Sequence, residues 1–155
     1  MLDASCLELG HGGSSLGANR IGKITPGGTI TTYPAGSGTA TDLAVGPDGN
    51  LWFTDFNNDR IGRITTAGAI TTFTDPLGNV NGPEYITAGP GGLWFTTRNG
   101  HPLGRITTAG VISTFTDANI SSPNGITLGP DGNVWFTSLF NDRIGKITSA
   151  GVITT

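Results

Sequence analysis

Apolar residues in this chain come in short runs broken by glycine, proline, aspartate and asparagine, and the same runs return at a fixed interval. Arg20-Ile-Gly-Lys-Ile-Thr25 reappears as Arg60-Ile-Gly-Arg-Ile-Thr65, Pro102-Leu-Gly-Arg-Ile-Thr107 and Arg143-Ile-Gly-Lys-Ile-Thr148, with spacings of 40, 42 and 41 residues between the shared glycines. A second block, Leu51-Trp-Phe-Thr54, Leu93-Trp-Phe-Thr96 and Val134-Trp-Phe-Thr137, keeps the same interval. Runs this short, rich in β-branched and aromatic residues and bounded by turn residues, predict strands. Each full unit parses into four, A to D in chain order. In the last unit they are 125–128, 134–137, 144–148 and a strand from Val152 to Thr155, while Leu43-Ala-Val45 and Ile86-Thr-Ala88 are the earlier A strands. No segment carries a helical period.

The turns have a mechanism. In Gly46-Pro-Asp-Gly-Asn50 and Gly129-Pro-Asp-Gly-Asn133, proline presets φ at the first corner, Asp48 or Asp131 can bond the backbone ahead, and the following glycine accepts positive φ. Adjacent Trp and Phe on strand B point to opposite faces, so both faces of the sheet need apolar cover. Sheets packed face to face about an axis supply it. A sandwich covers one face only, and a β-solenoid repeats at a shorter interval. A period of about 40–45 residues with one tryptophan belongs to a four-stranded propeller blade. The predicted fold is therefore all-β: a β-propeller of four-stranded antiparallel blades, with about three and a half blades present as a partial or open ring. A half blade occupies 20–39 and blades occupy 40–79, 80–120 and 121–155, while 1–18 is a non-repeat leader or degenerate blade. Trp52, Trp94 and Trp135 are expected between blades rather than as ligand platforms.

Charge narrows the partners. Charged residues are 12 %, 26 glycines stand beside them, and the net charge is −3. The basic residues recur singly, one blade after another, so no stripe exists to track nucleic acid. The single cysteine, Cys6, cannot form an internal disulfide. No apolar run approaches the roughly 20 residues of a membrane span, and the first ten residues lack the basic and apolar stretches of a secretory signal. A soluble protein of undetermined compartment is expected.

The string Gly129-Pro-Asp-Gly-Asn-Val-Trp-Phe-Thr137, followed by Arg143-Ile-Gly-Lys-Ile-Thr-Ser-Ala-Gly151, resembles the repeat of the virginiamycin B lyases, or streptogramin lyases, and the likeness runs over about residues 20–155. It implies a seven-bladed propeller and an Mg2+-assisted elimination that opens the ester of type B streptogramins, with a histidine as general base. Such chemistry asks for a base near the operating pH and charge stabilisation of the developing enolate. The family pattern sets a histidine just before strand A and an acid just after Trp-Phe-Thr. Here the first position holds Thr41, Glu84 and Asn124, and the second holds Asp55, Thr97 and Ser138. No blade combines both, so no catalytic residue is assigned. His11, in the leader, and His101, in a B–C loop, do not match. Three readings stay open: a lyase-like propeller whose base lies outside these blades, a non-catalytic propeller that binds a protein, peptide or glycan, or a structural array at a cell surface.

Strand B ends and strand A begins on one rim, which collects the B–C and D–A loops with Asp55, Asn57, Asn58, Asp59, Glu84, Arg98, Asn99 and His101. Loops over a rigid scaffold are where ligands are held. Asp55, Glu84, Arg98, His101 and Asn124 are the candidates for a small-molecule or peptide ligand, and Asp55 with Glu84 for a hard cation. Arg60, Arg63, Arg105 and Arg143 are expected to cover the outer strands or to pair with Asp59 and Asp142. Phe56 and Phe140 either plug the loops or touch ligand. Self-association is expected through the apolar faces and strand edges of the first and last blades.

Overall fold

The computed structural model describes residues 19–100 and 102–155, so the leader with Cys6 and His11, and the loop residue His101, lie outside the described residues. β1 (Asn19–Ile24) and β2 (Ile30–Gly36) form a two-stranded antiparallel sheet. Three four-stranded sheets follow, each antiparallel in chain order. They are β3 (Ala40–Val45), β4 (Leu51–Asp55), β5 (Arg60–Ile64) and β6 (Ile70–Thr74); then β7 (Pro83–Gly89), β8 (Gly92–Thr97), β9 (Leu103–Ile106) and β10 (Ile112–Phe115); then β11 (Pro123–Leu128), β12 (Val134–Ser138), β13 (Arg143–Ile147) and β14 (Ile153–Thr154). Over the described residues these sheets make a partial propeller that does not close into a ring, and its all-β class is the one the repeat predicts. Among the described residues, no helix is long and apolar enough to cross a membrane.

Two details depart from the periodic pattern. Strand A starts about three residues earlier than its apolar run, with the register slipping between Ala40 and Leu43, Pro83 and Ile86, and Pro123 and Ile126. These bulges let polar residues join the strand without turning the apolar ones away from the core. Single 3-10 turns also follow strand B, at Phe56–Asn58 and Leu139–Asn141, too short to leave a period in sequence.

The core lies between blades. Trp52 and Ile61 pack against Ile86, Leu93, Phe95 and Ile106 of the next sheet, while Trp94 and Leu103 pack against Val134, Phe136 and Ile147. Ile21 meets Phe53 and Ile64 in the same way. Each tryptophan thus faces forward and each phenylalanine backward, as period-2 alternation demands. The glycine in every Ile-Gly-Arg/Lys-Ile block now has a reason. Phe53, Phe95 and Phe136 sit directly across from Gly62, Gly104 and Gly145, and a Cβ there would lie 2.0, 2.1 and 2.4 Å from the rings. At the C–D turns, Gly68, Gly110 and Gly151 have φ of 85 to 90° and lie under Tyr33, Phe73 and Phe115 of the preceding sheet. Both the backbone conformation and the close approach exclude a side chain there.

Candidate ligand rim

The B–C and D–A loops are fastened to each other by a recurring backbone bond. Phe56, Arg98 and Leu139 donate their N–H groups to the carbonyls of Thr39, Gly82 and Ser122 at 2.9, 2.9 and 3.0 Å. Side chains add a second tie: Asn57 Nδ2 donates to Thr39 Oγ1 (2.7 Å) and Asn99 Nδ2 to Asn81 Oδ1 (2.8 Å). The position after Trp-Phe-Thr, singled out for chemistry in the sequence, clamps its loop in all three blades. Asp55 Oδ1 accepts from Thr39 N (2.9 Å), Thr97 Oγ1 donates to Pro102 O (2.8 Å), and Ser138 Oγ accepts from Ser121 N (2.8 Å).

Asp55 is fully buried, and its Oδ2 accepts from Arg60 Nε at 2.7 Å and from Asn58 Nδ2 at 3.1 Å. Glu84, also buried, pairs through Oε1 with Arg98 Nη2 at 2.6 Å. The Arg98 guanidinium lies 5.3 Å from the centre of the Phe56 ring. The rim between the second and third sheets therefore carries an ordered triad of Phe56, Arg98 and Glu84, with most of Arg98 in solvent. Asn124 takes the place of Glu84 on β11 and is half-buried. His101 stands outside the described residues.

Several expected pairings are replaced. Arg60 pairs with Asp55 rather than with Asp59, since the hairpin register sets Arg60 opposite Asp55. Asp59, at φ 52°, instead accepts from Gly82 N at 2.7 Å and ties one blade's loop to the next. Arg143 donates to Asn119 Oδ1 and Thr155 Oγ1 rather than to Asp142. Arg63 and Arg105 lie over Trp52 and Trp94 at 5.4 Å and donate to Thr108 O and Ser149 O of the following sheet, so they do cover the outer strands. Phe56 serves as a plug under Arg98, whereas Phe140 is exposed.

Three carboxylates are shifted by their surroundings. Burial weighs against the charge of Asp48, but hydrogen bonds from Asn50 and the Trp52 indole outweigh it and hold the group below the usual range. The Trp135 indole and Asn133 hold Asp131 lower still. Asp42 goes the other way. Burial raises it, although its Oδ2 accepts from Ile86 N across the blade seam at 2.9 Å. Sequence reasoning passed over Asp42, whose one signal is that it is the sole acid at its repeat position, where its counterparts are Tyr85 and Gly125.

A hard cation needs several free oxygens. Asp55 and Glu84 each have an arginine in salt-bridge contact, and no group of three metal-type side chains occurs among the described residues, so this donor set does not fit Mg2+ as it stands.

A β-propeller, partial over the described residues and carrying an ordered loop rim, is the class that fold and site define. The model of the virginiamycin B lyase family matches residues 14–155, and the chain belongs to that family. Among solved structures, virginiamycin B lyase from Staphylococcus aureus is similar at 40 % identity over 88 % of this chain and 48 % of its own, with a TM-score of 0.82. A catalytically inactive histidine-to-alanine variant of that enzyme, solved with quinupristin, is similar at 41 % identity over 88 % of this chain and 48 % of its own, with a TM-score of 0.81. A streptogramin B lyase structure is similar at 37 % identity over 89 % of this chain and 47 % of its own, with a TM-score of 0.82. The chain spans about half the length of these relatives. A search of curated protein sequences finds no match.

Proposed function

We propose that this chain is part of a streptogramin-lyase-like propeller. In this reading its loop rim receives a cyclic depsipeptide, and the base for ester opening is supplied from outside this chain. What carries the reading is the family match together with a rim triad suited to a peptide ring. Phe56 offers an apolar face, and Arg98 offers N–H donors to carbonyl oxygens while Glu84 holds it in place. Ring opening by elimination removes a proton next to a carbonyl, forms a carbon–carbon double bond and expels the ester oxygen as a carboxylate. Both oxygens of the buried Asp55 are engaged by Thr39 N, Asn58 and Arg60, and Glu84 is held by Arg98, so neither is assigned the role of base. A histidine is required in the Staphylococcus aureus relative, as its inactive variant indicates. The two histidines of this chain lie in 1–18 and at 101.

The test is to titrate the purified chain with quinupristin by calorimetry and then incubate it with and without Mg2+, following the product by liquid chromatography and mass spectrometry. Elimination leaves the mass unchanged and shifts retention, whereas hydrolysis adds one water. Saturable binding without turnover is expected. Steady ring opening by the chain alone overturns the placing of the base, and no binding overturns the whole reading. A second reading, a non-catalytic propeller that binds a protein, peptide or glycan, is favoured by the same two ion pairs. It predicts that a ligand from one of those classes is captured on the rim while streptogramins are not.

A further inference from the structure

Asparagine stands directly before glycine three times, at Asn81-Gly82, Asn99-Gly100 and Asn124-Gly125, and all three pairs fall in the rim loops or at the head of a strand A. The pair is chemically labile. Glycine has no side chain to shield its main-chain nitrogen and little steric cost to turning, so that nitrogen can attack the side-chain amide of the asparagine before it. The backbone decides whether it does, and the three pairs are held differently. Asn124 and Gly125 lie inside β11, where extended backbone turns the glycine nitrogen away from the asparagine side chain. Gly82 is buried, and its N–H is held by Asp59 Oδ1 at 2.7 Å. Asn99 and Gly100 are both exposed, lie past the end of β8, and the Gly100 N–H makes no hydrogen bond among the described residues. Asn99 is tied only to the exposed Asn81, by its Nδ2 at 2.8 Å and by a long N–H bond of 3.3 Å.

We infer that Asn99-Gly100 is a deamidation site, the one of the three pairs that reacts in the folded chain. Gly100 N attacks Asn99 Cγ, the new carbon–nitrogen bond closes a cyclic imide, and Nδ2 leaves as ammonia. Water then opens the imide at either carbonyl. One opening gives aspartate, and the other gives isoaspartate, in which the main chain runs through Cβ. Both add a negative charge to the rim. Isoaspartate also inserts one methylene into the main chain between Thr97 and Pro102, a span clamped by the bond from Thr97 Oγ1 to Pro102 O at 2.8 Å. The longer span releases that clamp and reshapes the loop that follows Arg98.

Ageing the purified chain at mildly alkaline pH tests this, with peptide mapping by liquid chromatography and mass spectrometry and an isoaspartyl methyltransferase assay for the rearranged product. The peptide holding Asn99 is expected to gain one mass unit and an isoaspartyl signal first. Asn81 and Asn124 should follow at least about tenfold more slowly, because each must open locally before it reacts. In urea the three rates should converge. Asn99→Gln, a change on an exposed side chain, should abolish the early acidic species seen on ion exchange. The isolated isoaspartyl fraction should show faster amide hydrogen exchange between β8 and β9, with β4 unchanged. A lead by Asn81 or Asn124, equal rates in the folded chain, or an early acidic species that survives Asn99→Gln overturns the site. Unchanged exchange in the isoaspartyl fraction overturns the release of the clamp.

Discussion

Gly104→Ala and Gly22→Ala change the same motif position by the same methyl group, and the structure assigns them opposite outcomes. At position 104 the new Cβ would lie 2.1, 2.2 and 2.7 Å from three carbons of the Phe95 ring. Carbon atoms rest at about 3.5–4.0 Å, so the ring would have to retreat by more than about 1 Å. It cannot do so freely, because Phe95 is fully buried in the cluster that holds Trp52, Leu93 and Ile106. Overpacking of a dense core costs about 1–3 kcal/mol, against which alanine recovers about 0.5–1 kcal/mol of glycine's backbone entropy. The net loss, up to about 2.5 kcal/mol, lowers Tm by up to roughly 5–10 °C for a domain of this size. At position 22 no described atom lies within 4 Å of the new Cβ, so only the entropic gain remains and Tm should hold or rise by about 1–3 °C. Thermal unfolding followed by calorimetry reads both variants. Equal Tm changes in the two would refute the explanation of the repeat glycine as the floor beneath the phenylalanine ring.

Asp55→Ala should cost about 2–3 kcal/mol, because it strips a buried partner from Arg60 and from the Thr39 N–H, with Asp55→Asn milder; urea unfolding measures both. Asp42 supplies a pH test. Its folded pKa is raised above the ordinary 3.8, so the folded state binds the proton more tightly, and stability from this group is gained as pH falls through the folded value and is reduced above it. Asp42→Asn should therefore raise Tm at pH 7 relative to the native chain, with the advantage vanishing near pH 3, as Tm measured across that range would reveal.

Much of the architecture is legible in the chain itself. Alternation sends Trp52 and Phe53 to opposite faces, and Pro-Asp-Gly turns close the hairpins, so strand order and the need for apolar cover on both faces follow from local geometry, while the repeat marks the blades. The ion pair of Arg60 was not read correctly: Asp59 was the expected partner, and the hairpin register that sets Arg60 opposite Asp55 decided otherwise. The rim was another matter. Glu84 lies at the start of strand β7 while Arg98 follows β8, Asp59 reaches Gly82 in the next blade, and Asp42 reaches Ile86 across a seam. Strand pairing and face polarity arise from local backbone geometry and a period of two. The partner of a loop carboxylate depends on how far apart packed blades hold their loops, a distance set by the tryptophan and phenylalanine cores beneath them.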